Sequence, residues 1–236
     1  MNLQILVISL QRSPERREKV TQELSKTNLN WSFIDAVDGK LLTSEPKEYD
    51  PEKVKRLLGF ELTRNELGCY LSHMKAWREC INKNQPTLIF EDDFILLPHF
   101  MRSLDLLLNQ YQNWSLVRLQ ALAEIDHTLI GQFDDLSIVQ NHGDPLGATA
   151  YVIKPNTARV LLEQSKSIYE PLDHFLEHQK KHGVQILALN PYPVDISRAE
   201  STIADRPERK PVMGLAKRKR SIHRMIDRIF SKNPWF

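Results

Sequence analysis

The sequence predicts an α/β fold with a mixed, largely parallel central sheet flanked by helices, on three observations. The first is a strand–helix–strand opening: an aliphatic run Leu3–Ser9, a helical stretch to about Lys26, and a second strand-like run Trp31–Val37. Parallel strands need a crossover, usually a helix, so this order favours them. The second is that helix and strand signals keep alternating along the body of the chain. The third is a short apolar strand, Thr87–Phe90, that runs directly into three carboxylates, Glu91, Asp92 and Asp93. Ligands of open α/β sheets bind beyond the carboxyl ends of strands, so these acids mark a candidate edge.

Each element has a local reason. Ser13-Pro14-Glu15 supplies an N-cap, a proline at the first helical position and an early acid for the first helix. Lys40–Lys55 is polar, carries Pro46 and Pro51, and reads as an excursion from the sheet. Thr63-Arg-Asn-Glu66 is a capping box opening a helix to about Asn82. Leu67, Tyr70, Leu71, Met74, Trp77 and Ile81 recur within it at three- and four-residue steps, a core face. Pro98–Gln112 reads as an amphipathic helix and Ser115–Gln120 as a strand. Between Ala121 and Asn141 the signal is weaker, with strand-like pieces around Gly131 and Asp134-Asp135. His142–Gly147 is turn chemistry leading into a strand over Ala148–Ile153. Helices follow over Pro155–Lys166 and Asp173–Lys181, the second with Asp173 as its N-cap. Gln185–Leu189 and Tyr192–Ile196 form a closing strand pair.

Composition bounds the class. The 236 residues are 41% hydrophobic and 26% charged, ordinary for a globular chain able to bury a sizeable core. Cys69 and Cys80 fit no redox or metal spacing, which implies a reducing compartment. The apolar run at Leu3–Leu10 has no basic lead or small-residue cleavage site and reads as a strand, not a signal peptide. Charge divides the chain into a body, 1–205, and a tail, 206–236. The tail carries ten Lys/Arg against two acids, net +8, so the body holds −6 of the overall +2. Over 214–236, Leu215, Ile222, Met225, Ile226, Ile229 and Phe230 share one helical face opposite basic residues, an interfacial membrane pattern. The alternative is a helix packed on the body. With one basic cluster and no recognition motif, nucleic acid is not an expected partner.

The acids give the chemistry its starting point. Adjacent carboxylates at the end of a buried strand repel one another and lose hydration, unless a positive group is there. By strand alternation Glu91 and Asp93 point one way and Asp92 the other. Paired carboxylates on one face suit a hard divalent cation with a bound phosphate. The loop Ser9–Arg12 would neighbour them, with Arg12, Arg16 and Arg17 able to meet an anion. Ser72, His73 and Trp77 could also serve a ligand, although a lone helical histidine is more often structural.

Several stretches resemble glycosyltransferase family 25, the bacterial lipooligosaccharide galactosyltransferases and the related collagen galactosyltransferases. They are Val7–Arg17, Phe33–Gly39, Leu62–His73 with Ala76-Trp77, Phe90–Asp93, Gly147–Ile153 and Pro171–His174, in the family's order. The resemblance implies a GT-A-type fold, a UDP-sugar donor and Mn²⁺ (or Mg²⁺). It implies Asp93 and Glu91 as metal ligands, with Glu91 or Asp92 reaching the ribose or a metal-bound water. Ser9, Arg12, Arg16, His73 and Gly147 complete the expected nucleotide-sugar site, the turn Gly147–Ala150 letting backbone approach the sugar. An inverting mechanism is implied, with Asp173 as the base on the acceptor hydroxyl. The expected reaction moves galactose from UDP-galactose in β-linkage onto a lipooligosaccharide (lipopolysaccharide) acceptor; UDP-glucose is the alternative donor. The expected place is the cytoplasmic face of a bacterial inner membrane, held peripherally through 214–236. The third metal ligand is left open among His174, His178, His182 and His223. A rival of another class is a zinc peptidase, from the inverted pattern His174-Phe-Leu-Glu177-His178.

Overall fold

A computed structural model describes residues 2–197. In chain order the elements are β1 (Gln4–Ser9), α1 (Pro14–Leu24), β2 (Ser32–Asp35), a 3-10 turn (Gly39–Leu41), α2 (Pro51–Leu58), α3 (Arg64–Lys83), β3 (Thr87–Glu91) and β4 (Phe94–Leu96). There follow α4 (Phe100–Asp105), β5 (Leu116–Arg118), β6 (His127–Phe133), β7 (Leu136–Asn141), β8 (Ala150–Ile153), α5 (Pro155–Gln164), α6 (Leu172–Glu177), α7 (Gln179–His182), β9 (Ile186–Asn190) and β10 (Val194–Ile196). The basic segment 206–236, with its expected membrane role, lies outside the described residues. Among those described, no helix is long and apolar enough to cross a membrane.

Eight strands form one mixed sheet in the order β2-β1-β3-β8-β5-β9-β7-β6. Six of them run in one direction and β8 and β7 oppose them, so the carboxyl ends of β1, β2, β3, β5 and β9 share an edge. The inner strands are apolar almost throughout because both faces are covered. Pleating divides their side chains between two cores. Leu6, Ile8, Ile89, Tyr151 and Ile153 face α3, α5 and α6. Ile5, Val7, Leu88, Phe90 and Val152 face α1 and α4.

The capping box of α3 forms as read: Thr63 N donates to Glu66 Oε2 at 2.8 Å and Glu66 N donates to Thr63 Oγ1 at 3.1 Å. Four expectations change. The excursion contains α2, whose Asp50 N-cap, leading Pro51 and left-handed Gly59 were all present as signals. The helix expected over Pro98–Gln112 is shorter, α4 giving way to a π turn over Leu106–Gln110. The closing strands do not pair with each other. β9 lies between β5 and β7, whereas β10 pairs with β4 in a separate two-stranded sheet. Asp173 is not the N-cap of its helix: Pro171 is, and Asp173 sits in the first turn, accepting from His174 N at 3.0 Å.

Candidate active site

The carboxyl-end edge of the sheet carries a cleft lined by the ends of β1, β2 and β3 and by the first turns of α1 and α3. Ser9, Arg12, Arg16, Asp38, Cys69 and the three acids Glu91–Asp93 contribute to it. One wall is built by close backbone approach. A Cβ on Gly68 would stand 2.6 Å from the Val37 carbonyl, and one on Gly39 would stand 2.2 Å from the Arg64 carbonyl. Only hydrogen fits at either place, so the segment after β2 lies directly on α3. Ser72 fastens it: its hydroxyl donates to Gly68 O at 2.6 Å and accepts from Val37 N at 2.8 Å. That placement presents Asp38 to Arg12, which grips it with two guanidinium nitrogens; the bond from Arg12 holds the Asp38 carboxyl below its usual range.

The three acids have three different environments. β3 ends at Glu91, and Asp92-Asp93 form a turn; Glu91 and Asp92 take opposite sides, as the alternation predicts. Glu91 Oε1 accepts from His73 Nε2 at 3.2 Å and Cys69 Sγ at 3.4 Å, and Oε2 from Thr149 Oγ1 at 3.4 Å. Burial pushes the Glu91 carboxyl up, but these donors outweigh it and the group is held below its ordinary value. Asp92 turns the other way, accepting from Ser9 Oγ and Arg16 Nη1, each at 2.7 Å. Asp93 is left with the unfavourable position. Its Oδ1 is buried without a hydrogen-bond partner among the described residues. Burial, then the charge of Glu91, then that of Asp92 raise its carboxyl to about 7, and Arg16 only partly opposes them.

Most of the residues expected from the sequence converge here: Ser9, Arg12, Arg16, Glu91, Asp92 and Asp93 line one cleft, with the fully buried His73 ring beneath them. The arginines meet anions of the protein itself. Arg12 pairs with Asp38, Arg16 with Asp92, and Arg17 with Asp35 at 2.5 Å and Ser9 O at 2.9 Å, so each is engaged by the protein's own acceptors. Gly147 and Asp173 do not line this cleft. Gly147, at φ +80°, accepts from the buried Arg118 through its carbonyl, two residues before the Thr149 that touches Glu91. Arg118 also pairs with Glu177, tying α6, and with it Asp173, to the same edge of the sheet. Burial pushes Glu177 up to about 7, which the Arg118 charge only partly offsets.

This pair also removes the zinc-peptidase reading. Glu177 is committed to Arg118, His178 Nδ1 lies 2.7 Å from Glu170, and His174 is exposed. The helix ends at Glu177, so the two histidines do not share a helical face. Nor do His174, His178 or His182 reach the acids: His182 is buried and bonded to Leu176 O at 3.2 Å. Among the described residues one set of side chains has the spacing of metal ligands, Cys69, His73 and Glu91, with donor atoms within 4.8 Å of one another. Cys69, Thr149, Asp35 and Asp38 were not singled out from sequence. All four sit in the stretches that resemble the family, but nothing local says that Cys69 and Thr149 meet Glu91 or that Asp35 and Asp38 pair with Arg17 and Arg12.

Comparison with known proteins adds the following. The family described as glycosyltransferase family 25 (LPS biosynthesis protein) matches residues 2–176. A Bos taurus protein named probable inactive glycosyltransferase 25 family member 3 is 29% identical over 189 residues, 73% of this chain and 31% of its own length. Procollagen galactosyltransferase 2 of Mus musculus is 34% identical over 110 residues, 43% of this chain and 17% of its own. The chain thus spans about a third or less of these curated relatives. Among solved structures, a mutant Drosophila β-1,4-galactosyltransferase 7 in complex with manganese, UDP-Gal and xylobiose superposes with a TM-score of 0.47 at 9% identity, over 93% of this chain and 80% of that one. At that similarity it assigns no role to any residue here. The family match extends from the first strand into α6 and takes in every acid of the cleft; the chain belongs to glycosyltransferase family 25.

Proposed function

We propose that this chain is a metal-dependent, inverting glycosyltransferase that moves a hexose from a UDP-sugar to a glycan acceptor. One observation carries the reading: three carboxylates crowd the carboxyl end of β3, and Asp93 is left with a buried oxygen that has no partner among the described residues and a carboxyl raised to about 7. Such a cluster fits a hard divalent cation, because oxygen ligands and excess negative charge are what Mn²⁺ or Mg²⁺ requires. Asp93 and Glu91 would hold it. A cation there supplies Lewis-acid stabilisation of the negative charge that develops on a departing diphosphate.

The chain's own residues do the rest. Ser9 and Arg16 fix Asp92, and the Val37–Gly39 wall held on α3 shapes the side of the cleft that would take the nucleoside. Asp173, carried by α6 at the same sheet edge, is proposed to take the proton of the attacking hydroxyl. The backbone at Gly147–Ala150 would lie against the sugar. Galactose is the proposed donor sugar, in keeping with relatives named procollagen galactosyltransferases. A lipooligosaccharide acceptor accords with the family's description as an LPS biosynthesis protein.

Because some relatives carry the word inactive in their names, turnover is the first thing to measure. A panel of UDP-sugars, with Mn²⁺ and with EDTA, read by UDP release on a lipooligosaccharide acceptor, tests the proposal. UDP-galactose should be turned over only with the cation. Turnover of UDP-glucose instead would change the donor and keep the reaction class. Full turnover in EDTA, or none with any donor, would reject the metal-dependent transferase.

A further inference from the structure

Cys69, His73 and Glu91 present a thiol, an imidazole nitrogen and a carboxylate within 4.8 Å of one another, a donor set that transition metals favour. The hydrogen bonds behind them decide otherwise. Trp77 Nε1 can only donate, and it donates to the Tyr151 hydroxyl oxygen at 2.9 Å. Tyr151 is buried, and its other hydrogen-bond contact among the described residues is His73 Nδ1 at 2.8 Å. The hydroxyl has one hydrogen, and Nδ1 is where it can go. A neutral imidazole that accepts at Nδ1 carries its own proton on Nε2, and Nε2 faces Glu91 Oε1 at 3.2 Å. Donation therefore runs one way, Trp77 to Tyr151 to His73 to Glu91. If His73 Nε2 bound a metal, the proton would move to Nδ1. The Tyr151 oxygen would then face two donors, and its own hydrogen would have no acceptor among the described residues.

We propose that His73 is a positioning residue and not a metal ligand: held as the Nε2–H tautomer by Trp77 and Tyr151, it fixes Glu91 Oε1, so that Oε2, which accepts only the long 3.4 Å bond from Thr149 Oγ1, keeps a lone pair for the donor's cation or ribose. The role given to Oε2 rests on the glycosyltransferase reading; the tautomer does not. Glu91 is thereby aimed by a chain that crosses from α3 to β8, returns to α3 and ends on β3. Ser72 and His73 of α3 thus act on the cleft from underneath, Ser72 holding the Val37–Gly39 wall and His73 holding the acid.

Two measurements on the full chain test this. Nitrogen-15 NMR of histidine-labelled protein, with the His73 signal identified by its loss in His73→Gln, should show a neutral ring protonated at Nε2, unchanged by stoichiometric Zn²⁺. Tyr151→Phe should remove that preference. A ring protonated at Nδ1, or a Zn²⁺-induced switch to Nδ1–H, overturns the proposal. The second is calorimetric binding of UDP with Mg²⁺. His73→Gln, whose amide can still donate to Glu91, should bind within about threefold of the parent, while His73→Leu should weaken by roughly tenfold or more. Equal losses in both would mean that the ring matters only for packing, and would also overturn it. Failure of the unmodified chain to bind UDP would sink the glycosyltransferase reading, whereas the tautomer stands or falls on the NMR alone.

Discussion

Asp93 should make the protein less stable than it could be, and Asp93→Asn should reveal by how much. Its carboxyl is raised from an ordinary 3.8 to about 7 by burial beside Glu91 and Asp92. At about 1.4 kcal/mol per pH unit, ionising it inside the fold costs up to ~4 kcal/mol. The sign follows from proton counting. Between 3.8 and about 7 the folded chain keeps a proton that the unfolded chain has released, so folding weakens as pH rises through that window. Asparagine has no proton to lose. The melting temperature of Asp93→Asn in EDTA, minus that of the parent, should be near zero at pH 4, grow through neutrality and level off above it. With relaxation halving the upper figure, about 2–4 kcal/mol corresponds to roughly 5–15 °C for a chain of this size. Adding Mn²⁺ should then raise the parent's melting temperature and leave the variant's nearly unchanged. A pH-independent difference, or a variant less stable than the parent at pH 8, would refute the reasoning.

Other perturbations test the supports of the site. Glu177→Gln should strand the buried Arg118 guanidinium and cost about 3–5 kcal/mol in urea denaturation; a loss below about 1 kcal/mol would mean the pair is not the tie between α6 and the sheet edge. Gly68→Ala would drive a methyl into the Val37 carbonyl. It should destabilise by about 1–3 kcal/mol and weaken UDP binding more than a core substitution of equal cost, such as Ile89→Val; equal effects on binding would show that the wall does not shape the cleft.

Much of this was legible in the chain because it depends on neighbours in sequence. The apolar strands, the Thr63–Glu66 box and the run Glu91-Asp92-Asp93 each follow from the spacing of a few adjacent residues. Even α2 was available, since Asp50, Pro51 and Gly59 are local signals obscured by the polar residues between them. His73 was visible as a candidate, but not the direction in which it acts. That depends on Tyr151 and Trp77, which are 78 and 4 residues away along the chain and meet it only in the folded core.

Sequence alone determined which residues have the chemistry: three acids in a row, arginines after β1, a histidine on α3. Tertiary structure decided what each does with it. Strand alternation puts Glu91 and Asp92 on opposite sides, but only the packing of the helices says that Glu91 meets His73 of α3, that Asp92 meets Arg16 of α1, and that Asp93, in the turn after β3, keeps a buried oxygen without a partner among the described residues. Local periodicity sets which face of an element is apolar. Charge pairing is set by which elements the sheet order makes neighbours, and that order depends on the burial of the whole core.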